Sequence, residues 1–266
     1  MRQRPPLFRL NRHCSLGHGL VFAGLGGFNC AGSLMFADSS GYGNHGALTN
    51  MEPASDWVWV PELGRWGLDC DGSNEYVATG YFVGAPSQCT VSVWAKTATG
   101  QSNNQYLFDN TNGSTGVTIR NSSSTEWDGF FYTAGGISRD SSWGTIDGSW
   151  HHLACVWDGS DSYYFQDGTQ AGTSADGSGA IVSSASAINV AADYNGSAAL
   201  QVLMSDFLLY DRALSPAEIQ QLADPSNAML SGLLIPPRRK LWAVSGAAPA
   251  SIIPRIMHHR RLMQVA

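Results

Sequence analysis

The sequence predicts an all-β fold, a two-sheet antiparallel sandwich, and three observations carry that reading. No proline occurs between Pro86 and Pro216, and proline is poorly tolerated inside a sheet because it removes a ladder donor. The same stretch is rich in β-branched and aromatic residues and is broken at short intervals by Asn-Gly, Asp-Gly and Gly-Ser pairs, which are turn signals. Strand-like segments at 68–70, 75–79, 89–96, 106–109, 116–120, 127–132, 150–157, 162–166, 187–191 and 200–210 follow one another closely, as in sandwiches and barrels.

Each element has its own justification. Residues 19–28 follow four arginines and superficially resemble a secretory signal, but glycines interrupt the run and it leads straight into a first strand, so the strand reading is preferred. In 89–96, Cys89, Val91, Val93 and Ala95 share one face opposite Thr90, Ser92, Trp94 and Lys96, the period of a strand. In 150–157, Leu153, Cys155 and Trp157 lie on one face and Ala154 and Val156 on the other. Apolarity on both sides marks a strand covered on both sides. One helix is expected after Ser215: serine caps, Pro216 takes the first helical position, Glu218 completes a capping box, and Ile219 and Leu222 supply an apolar side. Asp224-Pro225 ends it. No apolar stretch approaches the roughly 20 residues of a membrane span.

The chain has 266 residues, 43% hydrophobic and only 14% charged, with 30 glycines and 9 tryptophans, which disfavours disorder and a helical repeat. Its charge is segregated. All 21 acids lie between Asp38 and Asp224, and residues 17–232 hold only five basic residues, a net of −16. The two ends carry ten cations and no acid. The expected organisation is therefore a basic N-terminal arm (1–16), an acidic domain (17–232) and a basic, apolar C-terminal arm (233–266). Five cysteines are an odd number in a chain too long to need staples. Cys70, Cys89 and Cys155 read as core thiols; a Cys14–Cys30 bridge stays open.

Six motifs in order carry a family likeness: 38–48 (DSSGYGNHGAL), 68–77 (LDCDGSNEYV), 89–94 (CTVSVW), 148–154 (GSWHHLA), 165–168 (FQDG) and 209–215 (LYDRALS) with Glu218-Ile219. Together they resemble the laminin-G-like domain of the concanavalin A-like lectin/glucanase superfamily over residues 18–223. The resemblance implies a two-sheet antiparallel jelly roll closed by the helix after Ser215. The segments Asn44–Met51 and Asp56-Trp57, with the basic tail at 237–240, also resemble single-domain proteins of phage and prophage structural gene clusters. What the family likeness further implies is one structural Ca²⁺ held by Asp38, Asn44, backbone carbonyl near Gly46, and Asp206. Ca²⁺ needs six to eight oxygens, and Ser205 stands where many relatives have Asp. The alternative is that Asp38 and Asn44 cap a turn.

The superfamily contains glycoside hydrolases, which place two carboxylates about one bond. No E-x-D-x-x-E pattern exists here; Glu126-Trp127-Asp128 is the nearest. Nor is there a G-x-S-x-G elbow or zinc spacing of Cys and His. His151 and His152 are expected to be one packed and the other hydrogen-bonded or exposed. A non-enzymatic protein is the reading. Aromatic residues beside turns, Tyr42, Trp57, Trp59, Trp127, Trp143 and Tyr194, are the candidate glycan platforms, with Trp143, amid Asp140-Ser141-Ser142 and Gly144, expected to be the best exposed.

The partner-binding candidates are Arg4, Arg9, Arg238, Arg239, Lys240, Trp242, Arg260 and Arg261, since apolar residues interleave with these cations in a manner unlike a solubilising tail. Docking onto a second copy or onto other virion proteins is the expectation, with nucleic acid less favoured. The leading functional reading is a phage virion component, a capsid-decoration or tail-associated module. A secreted or cell-surface carbohydrate-binding module is the alternative, and a glycoside hydrolase a distant third.

Overall fold

The computed structural model describes residues 9–11, 14–26, 29, 32–226 and 234–235. Its strands are β1 (Arg9–Leu10), β2 (Leu20–Gly24), β3 (Met35–Phe36), β4 (Gly46–Thr49), β5 (Trp57–Val60), β6 (Arg65–Asp71), β7 (Tyr76–Ala78), β8 (Cys89–Lys96) and β9 (Tyr106–Asp109). They continue with β10 (Val117–Asn121), β11 (Glu126–Thr133), β12 (Gly136–Thr145), β13 (Trp150–Trp157), β14 (Ser162–Gln166), β15 (Thr169–Ser174), β16 (Asn189–Val190), β17 (Gln201–Tyr210) and β18 (Leu234–Ile235). One α-helix, α1 (Pro216–Leu222), follows the last long strand.

Two antiparallel sheets form the sandwich. The front sheet runs β12-β11-β10-β9-β16-β7-β4-β3; the back sheet runs β15-β14-β13-β8-β17-β6-β5, with β2 added onto β17. Period-2 alternation builds the core between them. From β8, Cys89, Val91, Val93 and Ala95 point inward, and from β13 Leu153, Cys155 and Trp157 join them, against Val117, Ile119, Phe131, Val190 and Val77 of the front sheet. The inward cysteines are thiols of the core, as expected: burial pushes Cys89 up to about 12 and raises Cys70 and Cys155 well above the ordinary thiol value. Cys14 is also a free thiol and donates to the Asn11 carbonyl at 3.1 Å; Cys30 lies outside the described residues.

The back sheet is covered on its outer side as well. Ala154, Val156, Leu208 and Tyr210 pack there against Leu16, Leu20 and Leu25 from the N-terminal segment and against Leu214, Ile219 and Leu222. This second layer explains the two-sided apolarity of β13. Leu16, inside the expected arm, is buried in it. The helix has the expected capping box, with Ser215 accepting from the Glu218 amide, and the Trp94 indole N–H donates to the Leu222 carbonyl at 3.1 Å.

One strand, β17, carries two neighbours on a single edge. Its residues 201–204 pair with β6 and its residues 207–210 with β2. A bulge separates the halves, with Ser205 opposite Trp94 and Leu208 opposite Ser92; the extra residue flips the alternation so that Met204 and Phe207 both face the core. Asp206 takes the left-handed conformation in this bulge, φ 50°. Its carboxylate fills the junction, accepting from the Gly26 amide at 2.8 Å and pairing with Arg65 at 2.8 Å. Only glycine fits at 26: a Cβ there would lie 2.0 Å from the Trp66 carbonyl oxygen.

Several strands were not anticipated, and their compositions explain why. β12 and β15 are Ser/Thr/Gly-rich edge strands, so half their surface meets water and their residues read as turns. β3 and β4 are short, and β5 lies inside a tryptophan-rich segment that resembled a loop rim. Among the described residues no helix is long and apolar enough to cross a membrane.

Candidate ligand-binding face

Registry across the front sheet assembles one continuous row of side chains on its outer face. Arg139 stands opposite Phe130, Phe130 opposite Thr118, Thr118 opposite Asp109, and Asp109 opposite Asn189. The row continues through Ala78 and Ala47 to Met35. Directly opposed residues share a face. Beside it runs a second row, Asp128 opposite Arg120 and Arg120 opposite Tyr106, while Tyr132 opposes Ile137.

Two buried carboxylates organise this face. Asp128, fully enclosed, accepts from Arg120 Nε at 2.9 Å and from Arg139 through Nε at 2.9 Å and Nη2 at 2.7 Å. The two guanidinium groups lie 5.2 and 5.7 Å from the Phe130 ring centroid, within cation–π range. Arg120 also donates to the Tyr106 hydroxyl at 3.2 Å. Burial alone would lower the pKa of Arg120, but its hydrogen bonds to Asp128 and Tyr106 raise it. Asp109, the second carboxylate, accepts from the Thr111 amide and hydroxyl and from the Tyr194 amide at 2.9 Å, which holds the 193–197 loop against the sheet. Burial raises its pKa.

What reaches solvent from this platform is an aromatic and cationic surface. Ile137 is 45% exposed and Tyr194 37% exposed, Tyr106 and Tyr132 are half-buried, and the Arg139 side chain is 46% exposed. Rings with fixed polar groups at their edges suit sugar recognition.

The expected platform residues fare unequally. Tyr194 belongs to this face, and Tyr42 is exposed on the loop between β3 and β4. Trp57, Trp127 and Trp143 are core residues, a correction to the expectation. Trp57 stacks on Phe36 at 6.0 Å and donates to the Ser33 carbonyl. Trp127 and Trp143 oppose each other across β11 and β12, with Trp143 fully buried 5.3 Å from Tyr164. The physical reason for Trp143 is a bulge: between the pairs Trp127–Trp143 and Gly129–Asp140, the single residue Asp128 faces two, Ser141 and Ser142, which turns Trp143 inward. The residues missed were Tyr106, Arg120, Asp128, Phe130, Tyr132 and Arg139. A signal was present, because 127–132 alternates Trp, Gly and Phe with Asp, Phe and Tyr, so both faces are chemically distinctive.

The residues expected to hold Ca²⁺ do not fit that ion as they are placed. Both oxygens of Asp38 are engaged: Oδ1 accepts from the Ala23 and Ser40 amides, and Oδ2 from the Ser40 hydroxyl and the Asn44 amide. The Asn44 side chain turns its N–H₂ to the Val21 carbonyl at 3.2 Å, Gly46 lies in β4, and Asp206 already faces a cation, Arg65. That guanidinium is 2% exposed and stacks 5.8 Å from the Trp94 ring centroid. The geometry is that of the turn-capping alternative.

The two histidines divide as expected. His152 is buried, with Nε2 2.8 Å from Ser92 Oγ; burial, then Arg65, push its pKa down to about 3. His151 lies between Asp167 at 2.7 Å and Asp147 at 3.1 Å. A cleft of about 180 Å³ lined by Val21, Tyr81, Pro86, Cys89 and Asp211 falls below the usual size of a ligand pocket. Of the arm candidates, Arg9 lies in β1, which pairs with β18 through Arg9–Ile235 and Leu10–Leu234. Arg4, Arg238, Arg239, Lys240, Trp242, Arg260 and Arg261 lie outside the described residues.

A family model for laminin-G-like domains of the Concanavalin A-like lectin/glucanases superfamily matches residues 71–220. Among curated proteins no sequence matches. The fold is similar to that of the binding domain of Paraclostridial Mosquitocidal Protein 1, at 16% identity and a TM-score of 0.61, over 80% of this chain and 53% of that one. It is also similar to Trypanosoma rangeli sialidase (15% identity, TM-score 0.55, 80% of this chain and 33% of that one). A third likeness is to the Botulinum Neurotoxin Type G receptor binding domain (13% identity, TM-score 0.53, 77% and 51%). The chain thus spans between a third and about half of these structures.

Proposed function

The chain belongs to the concanavalin A-like lectin/glucanase superfamily, and from that premise we propose that it is a non-enzymatic recognition module whose front-sheet outer face binds glycans. The observation that carries the reading is the fixed platform of Phe130, Tyr132, Arg120 and Arg139 around enclosed Asp128. The same geometry argues against hydrolysis. A glycosidase needs one carboxyl able to give a proton and another able to attack or activate water. Here Asp128 is clamped by two arginines and Asp109 is enclosed by Thr111 and Tyr194, so both are spent on structure. The full chain on a glycan array is expected to bind, and Tyr132→Ala to abolish the signal while the fold is kept. Binding unchanged in that variant, or release of reducing ends from a bound glycan, overturns the proposal.

Placement of the module on a virion, as a capsid-decoration or tail-associated protein, is supported by the acid-free basic ends and by the pairing of β1 with β18. That pairing sets Arg9–Leu10 beside Leu234–Ile235, so one short stretch from each end meets the other. Attraction between the arms of one copy and the acidic body of the next is the electrostatic rationale. Deleting residues 233–266 is expected to leave the sandwich folded and to abolish self-association. An unchanged sedimentation profile defeats the assembly reading and leaves a secreted or cell-surface glycan-binding module, which needs the same face.

A further inference from the structure

The acidic body contains only five Lys or Arg residues, Arg65, Lys96, Arg120, Arg139 and Arg212. Arg65 is committed to Asp206 inside the back sheet, and Arg212 forms a forked pair with Glu218. Two of the remaining three stand together on the candidate face. Asp128 neutralises one of the two charges, so its own cluster holds one cation in excess, while Asp109, the other carboxylate of the face, is enclosed by neutral donors from Thr111 and Tyr194. It also locks the guanidinium planes, because Arg139 is bidentate and Arg120 is held at both Nε and Nη1. The unused groups, Arg120 Nη2 and Arg139 Nη1, have no protein partner, and neither is a buried orphan, so both reach solvent. Fixed, outward N–H₂ groups beside aromatic rings match a planar oxyanion presented by a ring-shaped ligand.

The rest of the domain limits how much negative charge that ligand can bring. The domain as a whole, residues 17–232, carries a net of −16, and each of its charges acts over about one Debye length, roughly 8 to 10 Å at ordinary salt. A densely sulfated chain would place many charges within that range and be repelled. A single carboxylate flanked by neutral sugars would not.

We propose that this face selects saccharides bearing an isolated carboxylate, of the uronic-acid or nonulosonic-acid type, with Arg139 and Arg120 as the carboxylate donors and Tyr132 and Ile137 as the apolar floor. The inference rests on the glycan-binding reading above and names its ligand class. The test is titration calorimetry of the full chain with 3′-sialyllactose against lactose, and with a galacturonic acid trisaccharide against its methyl ester. At least one acid is expected to bind roughly 10- to 100-fold tighter than its neutral counterpart, the range of a charge-assisted pair. Arg139→Gln is expected to erase that ratio, and Arg139→Lys, which keeps the charge and loses the fork, to erase most of it. Should either variant misfold, amide shifts of the wild-type protein on adding the acid are expected to centre on 130–139. Neutral and acidic sugars bound equally, a heparin fragment bound better than either acid, or shifts centred elsewhere overturn the ligand class while the glycan reading stands. Failure of every sugar to bind, on the array as in the calorimeter, removes both.

Discussion

Acid should destabilise this domain through one buried imidazole, and the size of the effect follows from its surroundings. His152 is enclosed, hydrogen-bonded only through Nε2 to Ser92, with Nδ1 buried and unpartnered. A neutral ring that donates from Nε2 leaves only a lone pair without a partner. Protonation would add an N–H with no acceptor, in a low dielectric and near Arg65. The folded pKa is therefore about 3, against the ordinary 6.5. For a histidine depressed on folding, the unfolded chain binds the extra proton, so stability is lost as pH falls below about 6.5 and the loss saturates near 3. At about pH 4.5 the unfolded chain is favoured by two decades of protonation, which is about 3 kcal/mol relative to about pH 8. The assay is urea unfolding of the wild type and of His152→Gln at both pH values. The variant is expected to be weaker at both but to lack this extra acid loss, so the difference between the proteins should shrink by about 3 kcal/mol in acid. Curves that stay parallel across the range would refute the argument. Other groups titrate identically in both proteins and cancel.

Four further outcomes are expected. His151 works in the opposite direction: hydrogen bonds to Asp167 and Asp147 outweigh its desolvation and raise its pKa, so its stabilisation is full below about 6.5 and fades as pH rises through the folded value; NMR titration of the imidazole, with an unshifted midpoint as the contrary result, checks this. Glu218 is held down to about 2 chiefly by its hydrogen bond to Arg212, so its contribution is present above about 4.5 and lost as pH falls toward 2; Glu218→Gln should flatten the stability curve in that window alone. Trp143→Ala is expected to cost about 3 to 5 kcal/mol by opening a core cavity and to leave glycan affinity unchanged at a temperature where the fold persists, since the ring faces inward. Asp38→Ala should lower the melting temperature equally with added calcium and with chelator, because the carboxylate caps its own loop; a loss confined to the calcium sample would restore the metal reading.

The fold class was legible because long strands with covered faces write a clear period into sequence. Cys89–Lys96 and Trp150–Trp157 show it, and the register of β8 with β13 runs unbroken from Cys89–Trp157 to Lys96–Trp150. The helix was legible because capping is local chemistry confined to Ser215 through Glu218. The ligand face was much less legible. Its row of side chains comes from strands as distant in sequence as β3 and β12, and only registry brings them side by side. Bulges added a second obstacle: one extra residue between Asp140 and Trp143 reverses the face of a tryptophan, and no local pattern announces it. Buried charge was the third. Asp128 and Arg120 look like ordinary surface residues until the partner strand supplies Arg139.

The divided edge of β17 makes the N-terminal segment an exchangeable part. β2 is joined to the rest of the sandwich by hydrogen bonds to Phe207–Tyr210, by Phe22 in the core against Phe36 and Phe207, by the Ala23 amide on Asp38, and by the apolar contacts of Leu16, Leu20 and Leu25, whereas β6 holds only the other half of β17. A copy that releases β2 keeps the pairing of β17 with β6 and β8 but withdraws Phe22 from the core between the sheets, and it presents an open strand edge above an uncovered apolar layer containing Ala154, Val156 and Leu208. The piece that fits this gap is carried by every other copy. Concentrated protein under mild destabilisation should therefore swap β2 between copies, closing into dimers when the exchange is mutual and propagating into chains when it is not.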